Sequence, residues 1–256
     1  MGGAKALSYA AQMPNLKVLQ MLNAGYDDAL AYLRPGITLC NARGVHDAST
    51  AELAVGLAIS SRRGFPEFMR EQMAGNWSHH RTAALSDSKI GIVGFGSIGK
   101  KIAQNLSGFE VSITAFTQSG RDGSLTIDQL DAHLPELDII ILILPLSDSS
   151  RHLFNAKRIA AMKDGALLIN VARGLVVETD ALVKELNSGR IFAALDVTDP
   201  EPLPAGHPLW SAKNLLLVPH VGGNSDAFEP RGRALVESQL QLLAAGAPLE
   251  HVVAQG

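Results

Sequence analysis

The stretch Lys-Ile-Gly-Ile-Val-Gly-Phe-Gly-Ser-Ile-Gly at residues 89–99 decides the fold of this chain. An apolar run leads directly into three glycines, Gly94, Gly96 and Gly99, and the residues after them repeat apolar side chains at the period of a helix. Strand, glycine turn and helix in this order are typical of a loop that binds the pyrophosphate of a dinucleotide.

Each glycine of this loop has a different task in such a site. Gly94 permits the tight turn, Gly96 lets the backbone approach the pyrophosphate, and Gly99 lets the helix pack against the strand. The helix begins at Ser97 and Ile98, and its first N–H groups and positive dipole end favour phosphate binding. The sequence therefore predicts a dinucleotide-binding loop at Gly94–Gly99.

Similar apolar runs follow this stretch and alternate with amphipathic segments. Because the runs are nearly continuous, they are typical of parallel strands covered on both faces. Helix signals lie between them, including a capping box at Thr126 and Gln129 and an N-cap at Thr179. We therefore predict an α/β fold with a doubly wound parallel sheet of the Rossmann type. Together with Lys89–Val93, the predicted strands are Val111–Phe116, Ile139–Leu144, Ala166–Val171, Ile191–Val197 and Asn214–Val218.

The flanking segments predict a second, smaller domain. Leu16–Leu22 and Gly36–Asn41 are predicted as strands, with a helix at Asp28–Leu33 between them. The predicted boundaries assign residues 1–46 and 224–256 to this smaller domain and residues 47–223 to the dinucleotide-binding domain.

Three more helices are predicted near these boundaries. Ser49 and Glu52 form a capping-box pattern for a helix that ends at Gly64 and is apolar nearly all round, so it should be buried in the core or in a subunit interface. Pro66 and Gly75 frame a second helix, and Pro230–Ala245 is predicted as the last one.

Composition excludes several other classes of protein. The 256 residues are 46% hydrophobic and 18% charged, with a net charge of −3 and no long run of one sign, which argues against a nucleic-acid partner. No apolar run approaches the roughly 20 residues of a membrane helix, and the N-terminal residues 1–8 lack the features of a signal peptide. With Cys40 as the single cysteine, a cytoplasmic location is expected.

The end of the second strand bears on the choice of cofactor. An acidic residue is expected there, roughly 20 residues after the glycine loop, if the ribose 2′-hydroxyl of NAD is bound. The strand instead ends without a carboxylate, and Thr117, Ser119 and Arg121 follow. Because a guanidinium pairs well with a phosphate, this pattern favours NADP. The alternative is an NAD site beside a solvated Arg121.

Three polar residues at strand ends are candidates for chemistry. Arg173 and Glu201 lie in loops after predicted strands, and His220 ends the last one. In an open α/β sheet the ligand crevice lies outside the carboxyl ends of the strands, so we expect these side chains to converge. A histidine supplies a proton near neutral pH, a carboxylate beside it fixes its tautomer, and an arginine binds a substrate carboxylate.

The stretches Gly94–Gly99, Leu144–Leu146, Asn170–Gly174, Leu195–Val197 with Glu201-Pro202, and Pro219–Gly222 occur in one characteristic order. In this order the chain resembles the family of D-isomer-specific 2-hydroxyacid dehydrogenases from Leu16 to its C-terminus. The resemblance implies hydride transfer between NAD(P)H and a small 2-oxo or D-2-hydroxy acid, such as glyoxylate or hydroxypyruvate. It further implies a homodimer formed through the helix at Ser49–Arg63.

The resemblance also implies individual roles. Arg173 would bind the carboxylate and carbonyl of the 2-oxo acid, His220 would be the acid and base, and Glu201 would tune that histidine. Asp196 would hold the nicotinamide carboxamide. Val171 and Thr50 would lie near Asp196, and Pro145 and Gly222 would also belong to the cofactor site.

A turn near the N-terminus would bind the substrate. The backbone N–H groups around Asn23, Ala24, Gly25 and Tyr26 match the carboxylate-binding turn of the family. The chain departs from the family pattern ahead of this turn, because the usual first part of the flavodoxin-like substrate domain is missing. We therefore expect that domain to be incomplete.

Alternatives remain open from the sequence. Formate or phosphite oxidation would use the same scaffold, although Glu201 counts against formate. A cofactor-sensing corepressor would keep the same residues, and a weakly active remnant is a third possibility. No metal-ligand spacing is present. The other histidines, His46 among them, show no partner pattern, and His79 and His80 are interpreted as solvated. Trp77 and Trp210 are interpreted as packing in the core or at its rim, with an interface or a substrate loop as the alternative.

Overall fold

The computed structural model describes residues 4–10 and 12–256. Met1–Gly3, the first part of the segment interpreted above as lacking a signal peptide, therefore lie outside the described residues. The chain forms two compact units. One combines the chain up to Ser49 with Gly223–Gly256, and the other is Thr50–Gly222.

The strands are numbered in chain order. They are β1 (Val18–Gln20), β2 (Thr38–Cys40), β3 (Lys89–Val93), β4 (Ser112–Thr117), β5 (Leu125–Thr126), β6 (Ile139–Leu142), β7 (Leu167–Asn170), β8 (Phe192–Leu195), β9 (Leu215–Leu217) and β10 (Val252–Gln255).

The helices are numbered in the same way. They are α1 (Ala4–Ala10), α2 (Asp47–Arg62), α3 (Phe65–Ala74), α4 (Ser97–Leu106), α5 (Leu130–His133), α6 (Ala156–Ala161), α7 (Thr179–Asn187) and α8 (Phe228–Ala244). Short 3₁₀ helices lie at Asp27–Tyr32, Ile127–Gln129, Gly174–Val176 and Pro208–Ser211.

The unit Thr50–Gly222 contains a parallel sheet of seven strands in the order β5-β4-β3-β6-β7-β8-β9. This is the Rossmann order with one strand added at the far edge, so the predicted fold class is confirmed. The order reverses between β3 and β6, which places the predicted crevice at the carboxyl ends of these two strands.

The predicted strands are correct in place but often too long. Ile143 and Leu144, for example, were assigned to β6 yet follow its end. A run of apolar side chains indicates burial, whereas a strand also requires continued hydrogen bonding of its backbone. A buried apolar run can therefore extend beyond the end of the strand. β5 was not predicted, because its two residues carry no detectable period.

Helices cover both faces of this sheet. On one face, apolar side chains of α2 and α4 pack against those of β3, including Leu57, Ile102 and Ile90. On the other face, Leu130 of α5 and Leu182 of α7 belong to the second cluster of buried residues. The apolar positions of α2 therefore lie mostly in the core of the same chain, which is one of the two predicted environments.

The other unit contains a sheet of three strands. β1 pairs in parallel with β2, and β10 pairs with β2 in the antiparallel sense. Leu7, Met21 and Leu39 form part of a small core here. The 3₁₀ helix Asp27–Tyr32 replaces the helix predicted at Asp28–Leu33, and β10 was not predicted.

Two predicted helix caps are wrong, and one is confirmed. α2 begins at Asp47, so Ser49 lies inside it and its hydroxyl pairs with that of Ser225 at 2.5 Å. Thr179 is the first residue of α7 rather than its cap, and its hydroxyl donates to the carbonyl of Asp199. In both cases a distant partner replaces the local one. The capping box of Thr126 and Gln129 is present as predicted.

Within the described ranges 4–10 and 12–256, no helix is both long enough and apolar enough to span a membrane.

Candidate active site

The glycine loop leaves β3 at the predicted crevice. Gly94 has a φ of +102°, and a Cβ atom there would overlap the carbonyl oxygen of Ile143, directly after β6. A Cβ on Gly99 would overlap the carbonyl oxygen of Gly94, so the first turn of α4 packs directly on the loop. Both positions therefore exclude any side chain, for steric reasons that match the predicted tasks.

Gly96 shows the opposite environment. A Cβ placed on it would have no atom within 4 Å, so this side of the loop faces open space. α4 begins at the next residue, and Ser97 and Ile98 carry N–H groups of its first turn, which point along the helix axis without helical partners. Close backbone, open space and a helix N-terminus are the features that a dinucleotide pyrophosphate requires, so these residues fit the cofactor.

Pro145 lies at the same edge of the sheet, in the segment after β6. Its side chain is exposed, and its carbonyl accepts a hydrogen bond of 2.8 Å from the Ser150 hydroxyl. Since Ile143 packs against Gly94, the segment that carries Pro145 starts beside the glycine loop.

The end of β4 forms a compact loop. The Thr117 hydroxyl pairs with that of Ser124 at 2.7 Å, and Arg121 Nε donates to the Ser119 hydroxyl at 2.9 Å. The loop also contains a carboxylate that sequence reasoning missed, because Asp122 lies one residue beyond the stretch considered. Lys100 of α4 binds Asp122 at 2.7 Å, and this hydrogen bond lowers the pKa of the Asp122 carboxyl.

Asn170 organises the loop after β7, a role that sequence reasoning missed. Its side chain is 1% exposed; Nδ2 donates to the carbonyl of Arg173 at 2.9 Å, and Oδ1 accepts from the N–H of Ala172. Gly174 packs so closely on Thr198 that a Cβ would overlap the Thr198 carbonyl. The backbone of Arg173 is therefore fixed, and its loop contacts the loop after β8.

His220 and Glu201 meet at the carboxyl end of the sheet. Nδ1 of His220 lies 2.5 Å from Oε1 of Glu201, and the two side chains are 50% and 39% exposed. The pair thus keeps an ordered imidazole within reach of solvent. His220 adopts a φ of +52°, a conformation uncommon for residues other than glycine and often found at functional sites.

Asp196 holds the segment that carries His220. Its carboxylate accepts hydrogen bonds from the N–H groups of Val221 at 2.6 Å and Gly222 at 3.0 Å, and its own carbonyl accepts one from the N–H of His220. Burial raises the pKa of the Asp196 carboxyl, and the two backbone hydrogen bonds oppose this shift. A Cβ on Gly222 would lie 2.8 Å from Oδ2, so only glycine fits there.

Thr50, which was expected near Asp196, lies close to it. Thr50 and Val171 are buried, and the methyl group of Thr50 lies 3.5 Å from the position of a Cβ on Gly222. The sequence did not predict that the carboxylate of Asp196 accepts hydrogen bonds from backbone N–H groups. Patterns at strand ends do not reveal hydrogen bonds between residues that are 25 positions apart.

The turn at Asn23–Tyr26 belongs to the other unit. The N–H of Ala42 donates to the carbonyl of Asn23 at 3.0 Å, and Nδ2 of Asn41 donates to that of Ala24 at 2.8 Å. Between residues 12 and 256, no hydrogen bond is donated by the N–H groups of Asn23, Ala24, Gly25 or Tyr26. The turn therefore presents unpaired donors, as an anion-binding turn requires.

Other residues singled out in the sequence take different positions. Trp77 is 95% exposed, so its interpretation as a packing residue is wrong, whereas Trp210 is 59% exposed and its Nε1 donates to the carbonyl of Pro204 at 2.9 Å. His79 and His80 are both exposed, as predicted, and Nε2 of His80 lies 3.8 Å from a carboxylate oxygen of Glu67. In the described part of the chain, no group of three or more histidine, cysteine or acidic residues is arranged to hold a metal ion.

Comparison with known proteins assigns the class of protein. Residues 55–222 match the family model of the NAD-binding domain of D-isomer specific 2-hydroxyacid dehydrogenases. The chain is 37% identical over 246 residues to a glyoxylate reductase of Thermofilum pendens, covering 90% of this chain and 72% of that protein. It is 36% identical over 222 residues to human glyoxylate reductase/hydroxypyruvate reductase, covering 81% and 68%.

Solved structures give the same result. A D-isomer specific 2-hydroxyacid dehydrogenase family protein of Aeromonas salmonicida matches with a TM-score of 0.90 and 30% identity, over 98% of this chain and 83% of that one. An NADPH-dependent glyoxylate/hydroxypyruvate reductase of Sinorhizobium meliloti, solved with NADP and malonate, matches with a TM-score of 0.83 and 30% identity, over 94% and 79%.

The fold and these relatives define an oxidoreductase that uses a nicotinamide cofactor. The chain belongs to the D-isomer-specific 2-hydroxyacid dehydrogenase family, and the resemblance noted in its sequence is confirmed.

Proposed function

We propose that this protein reduces a small 2-oxo acid, glyoxylate or hydroxypyruvate, to the corresponding 2-hydroxy acid with NADPH. The observation that carries the proposal is the His220–Glu201 pair, joined at 2.5 Å at the carboxyl end of a dinucleotide-binding sheet. Relatives named glyoxylate reductase and hydroxypyruvate reductase support the choice of substrate. In this proposal Thr50–Gly222 is the dinucleotide-binding domain, and the other unit is the substrate domain.

When bound, the reduced nicotinamide supplies a hydride to the carbonyl carbon of the 2-oxo acid. His220 donates a proton from Nε2 to the carbonyl oxygen, so that the product is a neutral hydroxyl. Glu201 accepts the hydrogen bond from Nδ1, which fixes the orientation of the ring. Asp196 keeps His220 in place through the neighbouring backbone.

Two groups are suited to the substrate carboxylate. Arg173 offers a guanidinium on a backbone fixed by Asn170, and a guanidinium binds a carboxylate through two parallel hydrogen bonds. The turn at Asn23–Gly25 offers unpaired N–H groups. We propose each group, within its own unit, as a carboxylate-binding group.

Nicotinamide absorbance tests the proposal. The purified protein is mixed with NADPH or NADH and with glyoxylate, hydroxypyruvate or pyruvate, and cofactor oxidation is followed. Turnover of glyoxylate or hydroxypyruvate with NADPH is the expected result. Absence of turnover with all three acids would contradict the proposal, and tight cofactor binding in that case would favour a cofactor-sensing protein instead.

The preference for NADPH rests on Arg121. We expect Arg121→Ala to raise the KM for NADPH about tenfold and to leave the KM for NADH unchanged, because only NADPH carries the 2′-phosphate that a guanidinium pairs with. Steady-state kinetics with both cofactors measure the effect. Lys157→Ala, which removes an exposed cation from α6, is the control. Equal changes for both cofactors would refute the role of Arg121.

We propose a homodimer, and α3 supports a particular face for it. Phe65, Met69 and Met73 are spaced by four residues on this helix, so they share one face, and they are 47%, 63% and 88% exposed. Trp77 follows and is 95% exposed. Contiguous exposed apolar side chains of this kind are typical of protein interfaces. The apolar side of α2, by contrast, is mostly buried within the chain.

Light scattering after size exclusion tests this face. The wild-type protein should elute as a dimer, and the double substitution Met69→Glu with Met73→Glu should yield a monomer, because charged side chains oppose burial in an apolar interface. Leu240→Glu, at a residue of α8 that is 60% exposed, should leave the dimer intact. A dimer that survives the double substitution would exclude α3 as the interface.

A further inference from the structure

His46 lies between β2 and α2, and both nitrogens of its ring face backbone carbonyls. Nε2 is 2.7 Å from the carbonyl oxygen of Leu22, and Nδ1 is 3.1 Å from that of Gly223. The ring stacks on Phe228 of α8, with ring centroids 5.2 Å apart and planes only 5° from parallel. The interpretation of His46 as a histidine without partners is therefore wrong.

The contact with Leu22 reaches the proposed carboxylate-binding turn. The carbonyls of Leu22, Asn23 and Ala24 are consecutive, and each accepts a hydrogen bond from the segment after β2. The group that faces the Leu22 carbonyl is Nε2 of His46, which donates to it in the tautomer that carries the proton on Nε2. With three successive carbonyls held in this way, the N–H groups of the turn remain available to an anion.

The site around the ring is built to fit it. A Cβ on Gly223 would lie 2.6 Å from Nδ1, so a side chain at this position would displace the imidazole. Phe228 covers one face of the ring. The imidazole thus joins the turn after β1 to the chain segment that leads into α8, and its orientation is fixed from both sides.

We propose that His46 is a positioning residue for substrate binding: it orients the turn at Asn23–Gly25, and so sets the affinity for the carboxylate of the 2-oxo acid. The proposal rests on the proposed function, because it assigns the turn to the same substrate. His46 does not touch the substrate, and its effect passes through the carbonyl of Leu22. A carboxylate is bound equally in the ground state and the transition state, so a loosened turn raises KM and spares kcat.

Three substitutions separate the contacts of the ring. His46→Gln places an amide donor near the position of Nε2, His46→Asn places one near Nδ1, and His46→Phe keeps only the stack on Phe228. We expect Asn and Phe to raise the KM for the 2-oxo acid about tenfold with kcat and the KM for NADPH unchanged, as expected for lost uniform binding. We expect Gln to restore a KM close to the wild-type value.

Two controls distinguish positioning from general stability. His79→Gln, in an exposed loop, should change none of these constants. Thermal unfolding should show similar midpoints for the Gln and Asn variants. If His46 acted only on stability, all three variants would have lower unfolding midpoints and an altered KM for NADPH, and the proposal would be wrong. An unchanged KM for the 2-oxo acid in the Asn variant would also overturn the proposal.

Malonate binding tests the positioning role of His46 separately from the proposed reduction of a 2-oxo acid. Calorimetric titration of malonate into the NADP complex requires no turnover, so it tests the turn even if the proposed reaction is wrong. A dissociation constant raised about tenfold in the Asn variant and restored in the Gln variant would support positioning by His46. Equal constants in the three proteins, or no binding to the wild-type protein, would refute it.

Discussion

Replacing His220 by Asn is expected to lower kcat for reduction of the 2-oxo acid about a thousandfold, since a positioned proton donor contributes roughly 10² to 10⁴ in rate. Asparagine accepts the positive φ of +52° at this position but carries no proton that it can release. The affinity for NADPH should stay unchanged, because the glycine loop is not altered. Stopped-flow kinetics and a cofactor titration measure the two quantities.

His152 provides a matched control for this substitution. It also has a positive φ, +49°, lies in the same unit and is exposed. His152→Asn should therefore reproduce any general effect of the substitution and leave kcat unchanged. If His220→Asn retained the wild-type rate, the imidazole would not be the proton donor, and the proposed mechanism would be wrong.

Gly94→Ala should abolish cofactor binding and destabilise the dinucleotide-binding unit. The new methyl group would overlap the carbonyl oxygen of Ile143. The φ of +102° at Gly94 is also unfavourable for alanine. Backbone strain of this kind costs about 1–3 kcal/mol, and relieving the overlap moves the loop away from β6. Urea unfolding and the fluorescence of bound NADPH measure the two effects.

Gly123→Ala separates strain from overlap. Gly123 also has a positive φ, +75°, but a Cβ on it would meet no atom within 4 Å. The Gly123→Ala variant should lose about 1 kcal/mol of its free energy of unfolding because of backbone strain, and it should still bind NADPH. Equal losses of stability and of NADPH binding in the two variants would show that the close approach of Gly94 to Ile143 is unimportant.

Much of the dinucleotide-binding unit follows from local sequence. β3, the loop Gly94–Gly99 and α4 are predicted correctly because turn, dipole and packing requirements all act within eleven consecutive residues. The convergence of Glu201 and His220 is also predictable, because parallel strands bring their carboxyl ends to one edge. Element ends are less predictable, as Ile143 and Leu144 show.

The glycine loop, the succession of strands and the residue types of the site were determined by the sequence itself, since each is a pattern of neighbouring residues. The tertiary structure alone decided which distant groups hold them in place. Asp196 binds the backbone beside His220, Asn170 fixes that of Arg173, and His46 binds the carbonyl of Leu22. The contact of Asn170 joins residues three positions apart in the sequence. The contact of His46 with Leu22 spans 24 positions, and that of Asp196 with Val221 spans 25. A hydrogen bond between such positions depends on how strands and loops pack, and no local period encodes it.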